Sequence, residues 1–209
     1  MRKAFSPEEY QKREKLITDT ALSLLEEKNF SNITMRELAR ACGVAIGTLF
    51  NYYPTKELLF RKLLYDYYNN YFTEEISEIE KQTFHKFEDY KNFQLQRVSV
   101  LIEQHTLIAL LSVHHNVYTV SEGTEALNEE RLLWANKLID IGRLTHEKLP
   151  RIPAESATRF YYFLHALLVG YSNLFQVPGM SQPPLFIDNL REETLLSVEY
   201  YLDGMQNFL

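Results

Sequence analysis

The sequence predicts an all-α protein in which a small N-terminal head of three helices precedes a larger helical domain. Apolar residues recur at helical spacing along most of the 209 residues, and no alternating run is long enough to suggest a sheet. Capping signals and glycine or proline breaks divide this pattern into separate helices. With 45% hydrophobic residues, the chain can build a small domain joined to a larger one.

The first helix is predicted from a capping box. Ser6-Pro-Glu-Glu9 supplies a capping serine, a proline at the first helical position and a glutamate at the third. We expect the helix to end near Asn29, and Phe30 and Ile33 to pack beneath the helices that follow. Its apolar positions recur at helical spacing, namely Ile17, Ala21, Leu24 and Leu25.

Two short helices separated by a glycine come next. A second capping box, Thr34-Met-Arg-Glu37, begins one helix, and Gly43 can adopt the left-handed conformation that ends it. Another helix of about two turns fits from Ala45 to Tyr53, because Pro54 stops it. This order predicts a helix-turn-helix, whose second helix enters a DNA major groove about 12 Å wide.

The helix that begins at Thr55 continues to about Lys81 and is too long to belong to the head alone. The sequence therefore predicts a DNA-binding head, residues 1–54, and a helical domain, residues 55–209, with this helix bridging both. Val177–Pro184 is rich in proline and glycine and is expected to be a loop. Further helices are expected over Lys86–Gln104, Thr106–Tyr118, Gly123–Leu149, Glu155–Gln176 and Asp188–Asn207.

The residue identities in the head strengthen the prediction made from the spacing of its helices. The signature of the tetracycline-repressor (TetR) family of bacterial regulators resembles Thr34-Met-Arg-Glu-Leu-Ala39 followed by Gly43-Val-Ala-Ile-Gly-Thr-Leu-Phe-Asn-Tyr-Tyr-Pro-Thr-Lys-Glu-Leu58. This resemblance, over about the first 65 residues, implies a homodimeric, ligand-responsive transcriptional regulator, expected to be a repressor acting at a palindromic operator. Phe50 stands where the family usually has tyrosine and Asn51 where histidine is common, so the operator sequence cannot be taken from relatives.

The resemblance and the side-chain chemistry together predict the DNA contacts. Asn51 can bond an adenine edge or a phosphate, Thr48 can contact either, and Ile46 offers apolar contact to a thymine methyl. Thr34 and Lys56 suit phosphates, and so does Tyr52, for which packing is the alternative. Leu49, Phe50 and Tyr53 are predicted to pack. The predicted contact set is Thr34, Ala45, Ile46, Gly47, Thr48, Asn51, Tyr52 and Lys56.

Charge is distributed unevenly along the chain, whose net charge is −6. Residues 1–60 hold nine Lys and Arg against eight Asp and Glu, a net charge of +1, whereas the remainder holds 13 against 20, a net charge of −7. Between Ser31 and Lys56, three cations, Arg36, Arg40 and Lys56, accompany the single acid Glu37. This local excess favours a phosphate backbone.

Other classes of protein are disfavoured. The single cysteine, Cys42, excludes an internal disulfide and suits a reducing cytoplasm. No apolar run follows Met1 and no stretch of 18 or more apolar residues occurs, so we expect a soluble, cytoplasmic protein without signal peptide or membrane span. The histidines show no metal-binding spacing and the glycines form no phosphate-binding loop, so neither an enzyme, a metal nor a cofactor is expected.

The helical domain is expected to hold a pocket for an unknown, largely apolar effector, although its aromatic residues could equally be core. The predicted pocket residues are Phe93, His105, Tyr118, Trp134, Tyr161 and His165. The helix containing Phe160–Tyr171 is apolar nearly all round and should be buried on every side, so it and the last helix are expected to form a four-helix interface with a second copy. The predicted interface residues are Phe160, Leu164, Leu168, Tyr171, Leu195, Val198 and Leu202.

Two other functions remain open. A small-molecule enzyme or carrier that merely retained a helix-turn-helix would not bind an operator at physiological salt. A DNA-binding protein without an effector would gain no thermal stability from any ligand.

Overall fold

The structure, a computed structural model, describes residues 6–118, 124–175 and 189–207. Within these ranges it contains α-helices, one short 3-10 turn and no β-strand, which confirms the all-α prediction. No described helix is long and apolar enough to cross a bilayer. The elements are α1 (Pro7–Glu27), the 3-10 turn (Phe30–Asn32), α2 (Met35–Ala41), α3 (Ile46–Tyr52), α4 (Lys56–Glu80), α5 (Phe87–Ile102), α6 (His105–Ser112), α7 (His114–Tyr118), α8 (Thr124–Lys148), α9 (Ala154–Phe175) and α10 (Leu190–Gln206).

The helix predicted over Thr106–Tyr118 is in fact two helices, α6 and α7. The Ser112 hydroxyl donates to the Ala109 carbonyl oxygen at 2.7 Å and so competes with the helical hydrogen-bond ladder where α6 ends. The predicted loop Val177–Pro184 lies outside the described residues.

The chain divides by compactness into two units. The first consists of Met1–Leu64 with Val113–Val120, and the second of Tyr65–Ser112 with Ser121–Leu209. The division falls within α4 and not at residue 54, because the first turns of α4 complete the core of the head. There the Phe60 ring meets the Phe30 ring edge-on, with 5.3 Å between centroids.

The core of the first unit is formed by side chains that the sequence places on one stripe of each helix. Ile17 and Ala21 of α1, Leu38 of α2, and Leu49 of α3 are fully buried, as is Ile33 in the connecting segment. Phe30 and Ile33 do pack beneath the helix-turn-helix as predicted, and this core holds α2 and α3 in place.

In the second unit, α8 and α9 approach closely. A Cβ added at Gly142 of α8 would lie 2.1 Å from Thr158 Oγ1 and 2.5 Å from the Ala154 carbonyl oxygen of α9. The helices could not pack this closely with any larger residue at position 142. Thr158 Oγ1 also donates to the Leu138 carbonyl oxygen at 3.2 Å, which links the same two helices.

Candidate nucleic-acid interface and ligand cleft

The turn between α2 and α3 forms as the sequence predicts. Thr34 caps α2, because its Oγ1 accepts a hydrogen bond from the Glu37 amide at 3.2 Å. Gly43 has φ +66°, in the left-handed region that glycine adopts without strain. Ala45 then precedes α3 in an extended conformation. The two short helices are therefore joined by a turn whose geometry depends on one glycine.

Glu37 does not complete the capping box. Its Oε1 instead accepts from Lys28 Nζ at 2.5 Å, and this hydrogen bond holds the pKa of the Glu37 carboxyl below its ordinary value. The single acid of this segment is thus paired with a cation from the end of α1. Arg36 and Arg40, both exposed, keep the surface of α2 positive.

One face of α3 is exposed and the other is core. Ile46, Gly47, Phe50 and Asn51 are exposed and recur at intervals of three and four residues, so they share one side of the helix. Leu49 is fully buried on the opposite side. The exposed side has the size and chemistry to enter a major groove.

The exposure of Phe50 corrects the sequence prediction, which placed this side chain in the core. Its side chain is 44% exposed, close to the 41% of Ile46 one turn earlier. The packing prediction holds for the other two, since Leu49 is fully buried and Tyr53 OH donates to Glu14 Oε1 at 3.0 Å. Phe50 therefore joins Ile46 as an apolar group able to contact thymine methyls.

Tyr52 is held against α1 and not directed outward. Its ring stacks on Tyr10 with 4.5 Å between centroids, and its hydroxyl is buried without a hydrogen-bond partner among the described residues. Burial raises the pKa of Tyr52. A phosphate contact would require the Tyr52 ring to leave Tyr10. In the DNA-free chain Tyr52 therefore packs, which was the alternative prediction for this residue.

Lys56 also differs from its predicted role. Its Nζ donates to the Phe30 carbonyl oxygen at 2.8 Å and to the Ile33 carbonyl oxygen at 2.9 Å, and lies 4.3 Å from the centroid of the Phe30 ring. Two of the three ammonium donors are therefore used inside the head. Lys56 fixes the segment that leads into α2, and its phosphate contact stays a prediction.

We expect Lys56→Ala to lower the free energy of unfolding by about 2 kcal/mol, because a hydrogen bond to a charged group typically contributes about 1.5–3 kcal/mol. DNA affinity should fall similarly for all sequences, with the salt-dependence slope changing by much less than one unit. Urea unfolding and salt titrations measure the two effects. Lys15→Ala, which removes an exposed pair with Asp19, is the control and should change stability little. An unchanged stability with a slope lowered by about one would restore Lys56 as a phosphate residue.

The other predicted contacts are at least partly accessible to solvent. Thr34 is exposed although its hydroxyl caps α2, Ala45 is exposed, and Thr48 is half-buried. With Ile46, Gly47 and Asn51 they form the part of the predicted set that can face DNA without rearrangement.

The second unit contains an open cleft between α4, α8 and α9. Its volume is about 420 Å³, within the range of about 300–1,000 Å³ common for ligand pockets. Most of the lining is apolar or aromatic. The lining residues are Tyr68, Phe72, Arg131, Leu132, Trp134, Ala135, Leu138, Tyr161, Tyr162 and His165.

Three predicted pocket residues, Trp134, Tyr161 and His165, line this cleft together. Phe93 does not, because its ring packs against Phe84 with 5.6 Å between centroids. Tyr118 belongs to the first unit and is also absent from the lining. The side chain of His105 lies outside the described part of the structure.

A buried polar network holds Tyr161, one of the residues that line the cleft. Tyr161 OH donates to Glu75 Oε1 at 2.8 Å and accepts from Gln94 Nε2 at 3.0 Å. Arg97 Nε donates to Glu75 Oε2 at 2.8 Å, and Glu75 is fully buried. Burial raises the pKa of the Glu75 carboxyl, against the opposing effect of Arg97. The network fixes Tyr161 and joins α4, α5 and α9.

The predicted interface residues need correction, because most of them are core of the single chain. The α9 helix is not buried on every side, since Tyr162 is 53% exposed. Tyr171 and Leu195 are half-buried. Only side chains that remain exposed can meet a second copy. The buried members of the predicted set are Phe160, Leu164, Leu168, Val198 and Leu202.

Comparison with known proteins places the head in a family. The profile of bacterial regulatory proteins of the tetR family matches residues 17–63, which contain α2, the Gly43 turn and α3. Over these residues, the head is similar to that of the tetR family. A relative described as the uncharacterized HTH-type transcriptional regulator YuxN of Bacillus subtilis (strain 168) is 38% identical over 61 residues, or 29% of this chain and 21% of the relative. The chain thus matches about a fifth of that relative's length.

Solved structures of bacterial regulators share the fold over almost the whole chain. The fatty acid degradation regulator FadR from Bacillus halodurans has a TM-score of 0.61 and 16% identity, with 97% of each chain covered. NalD of Pseudomonas aeruginosa, the secondary repressor of the MexAB-OprM multidrug efflux pump, has a TM-score of 0.54 and 20% identity, with 96% of each chain covered. At these identities the likeness shows the fold alone.

Sequence reasoning missed several residues of the candidate sites. Phe50 could have been found from its i, i+4 spacing to Ile46, since Leu49 already marked the buried side of α3. Arg131 lies one turn before Trp134 on α8, yet a lone arginine on a long helix resembles any solvated face. Tyr68 and Phe72, at i, i+4 on α4, carry the same apolar pattern as core residues.

Proposed function

We propose that the protein is a homodimeric, ligand-responsive transcriptional repressor that binds a palindromic operator and is released by a small-molecule effector. The exposed face of α3, formed by Ile46, Gly47, Phe50 and Asn51, carries the proposal. These two apolar side chains, the glycine and the amide lie outside the core of the head. In a major groove the apolar side chains can contact thymine methyls and the amide can bond a base edge.

Dimerisation is supported by exposed apolar side chains on neighbouring helices. Leu174 of α9 is 41% exposed, and Leu196 and Tyr200 of α10 are 42% and 68% exposed. The two helices pack on each other, since the Phe163 and Tyr201 rings stack at 4.1 Å. Two such helices from each copy make a four-helix interface about a two-fold axis.

Effector control is supported by the cleft and by α4, which contributes residues to both units. The repressor role agrees with that of NalD, the secondary repressor of a multidrug efflux pump. A ligand that displaced the α4 residues lining the cleft would bias the arrangement of the two heads of the dimer. Release requires that the ligand prefer the arrangement that no longer fits the operator.

Selection of bound fragments from random duplex DNA tests the proposal. It should enrich a palindrome with half-site centres about 34–36 Å apart or a multiple of that distance. Failure to enrich any sequence at physiological salt would favour an enzyme or carrier that merely retained the helix-turn-helix. An enriched operator with no stabilising ligand would instead favour an effector-free DNA-binding protein.

Asn51→Ala is expected to weaken binding to the selected operator by about 1–3 kcal/mol, because an amide reads an adenine edge with paired hydrogen bonds. The loss should depend on the identity of particular base pairs. Binding to operators with single base-pair changes measures the effect. Asn32→Ala, which alters another exposed asparagine of the head, is the control and should leave the preference unchanged. A uniform loss over every sequence would make Asn51 a phosphate residue.

A further inference from the structure

The charge of the cleft lining restricts what it can bind. Arg131 is the single charged residue among the described side chains that line the cleft, and none of those side chains is a carboxylate. The carboxylate behind Tyr161 belongs to Glu75, which is fully buried and already paired with Arg97 at 2.8 Å. The described lining of the cleft therefore offers a positive charge to a ligand and no negative one.

Arg131 has no ion-pair or hydrogen-bond partner among the described residues. The positions three and four residues away on α8 are occupied by Leu127, Asn128, Trp134 and Ala135, so the helix itself supplies no carboxylate. By contrast, Arg143 on the same helix is paired with Asp140 at 3.0 Å. An exposed, unpaired guanidinium beside an apolar cleft is suited to a ligand carboxylate, which it can bind with two parallel hydrogen bonds.

The wall beside Arg131 is aromatic. The Trp134 ring stacks on Tyr65 with 5.9 Å between centroids and meets the Tyr68 ring edge-on at 4.8 Å. Tyr68 OH is 2.6 Å from His165 Nδ1, so this hydroxyl is already hydrogen-bonded within the protein. Such a wall favours an apolar ligand body.

We propose that the cleft binds an amphipathic anion, whose apolar body lies against Trp134 and whose carboxylate pairs with Arg131. This inference rests on the proposed ligand-responsive function and names the chemical class of its effector. A lipophilic cation is disfavoured, because its charge would meet Arg131 and find no carboxylate. A neutral apolar molecule could enter the cleft but would gain nothing from Arg131.

The test uses three probes of equal length and different charge, namely decanoate, decanamide and decylammonium, each below its micelle concentration. Trp134 is the only tryptophan of the chain and lines the cleft, so its fluorescence reports occupancy directly. Decanoate should bind at least tenfold more tightly than the other two, a difference of about 1.4 kcal/mol. Arg131→Gln should abolish this preference, and Arg131→Lys should retain part of it. Arg143→Gln is the matched control and should bind all three probes like the unaltered chain.

Equal binding of decanamide or decylammonium, no fluorescence response to decanoate, or an Arg131→Gln variant with unchanged decanoate affinity would each overturn the proposal. Binding of the same preparation to its selected DNA separates this failure from failure of the proposed function. A chain that binds its operator and ignores decanoate refutes the anionic effector alone. A chain that binds decanoate and selects no DNA refutes the proposed function as a transcriptional regulator.

Discussion

Replacing Leu196 and Tyr200 by lysine is expected to give folded monomers and to weaken operator binding by roughly 10²–10⁴-fold. Both side chains are exposed in the single chain, so the substitutions leave its core intact. In a dimer they would place like charges against each other across the two-fold axis. The loss in affinity follows because a monomer holds one half-site and forgoes the effective concentration that links the second head to the DNA.

Sedimentation and helical circular dichroism measure this outcome, followed by operator titration. Leu133 and Ile139 of α8, 51% and 57% exposed, provide the matched control. Their replacement by lysine changes exposed apolar residues equally and should leave the dimer intact. A Leu196→Lys, Tyr200→Lys variant that stayed dimeric would place the interface on another surface, and a control that dissociated would extend it to α8.

Replacing Arg97 by methionine is expected to lower the free energy of unfolding by about 3–5 kcal/mol at pH 8, because it leaves Glu75 buried without its cation. The loss should shrink as the pH falls. Burial already raises the pKa of Glu75 in the folded chain, and removing Arg97 raises it further. The folded state then retains a proton that the unfolded state has lost, so stability declines as the pH rises above the ordinary carboxyl pKa of about 4.3.

Urea unfolding at fixed protein concentration, at pH 5 and pH 8, measures this effect. Glu75→Gln in the Arg97→Met chain should recover much of the loss and remove its pH dependence. Arg159→Met, which breaks the exposed pair with Glu155, is the control and should cost less than about 1 kcal/mol. Equal losses at the two pH values would show that Glu75 is not the source of the destabilisation.

The head was predictable from sequence because its signals are local. Caps such as Thr34, the left-handed Gly43 and the proline after α3 each act within a few residues, and the helices begin and end close to the predicted positions. Lys56 shows where local reasoning stops. Its ammonium binds carbonyls 23 and 26 residues earlier in the chain, and nothing in its own neighbourhood distinguishes it from a phosphate-binding lysine.

The helical domain was less predictable because α9 is apolar on most of its surface. Such a helix has no polar stripe to show which side faces the interior, so Phe160, which is fully buried, could not be distinguished from Tyr162, which is exposed. The cleft was predicted in part for the same reason. Its aromatic members are recognisable as large side chains, but their grouping depends on the packing of α4, α8 and α9.

Linkage tests most directly whether this protein couples DNA binding to occupancy of the cleft. The affinity of a ligand that changes Trp134 fluorescence is measured with and without saturating operator DNA. Operator DNA should lower the affinity for the ligand by the same factor by which the ligand lowers the affinity for the operator, a coupling of about 1–3 kcal/mol. Identical ligand affinities with and without operator, for every compound that binds the cleft, would show that the cleft does not control DNA binding.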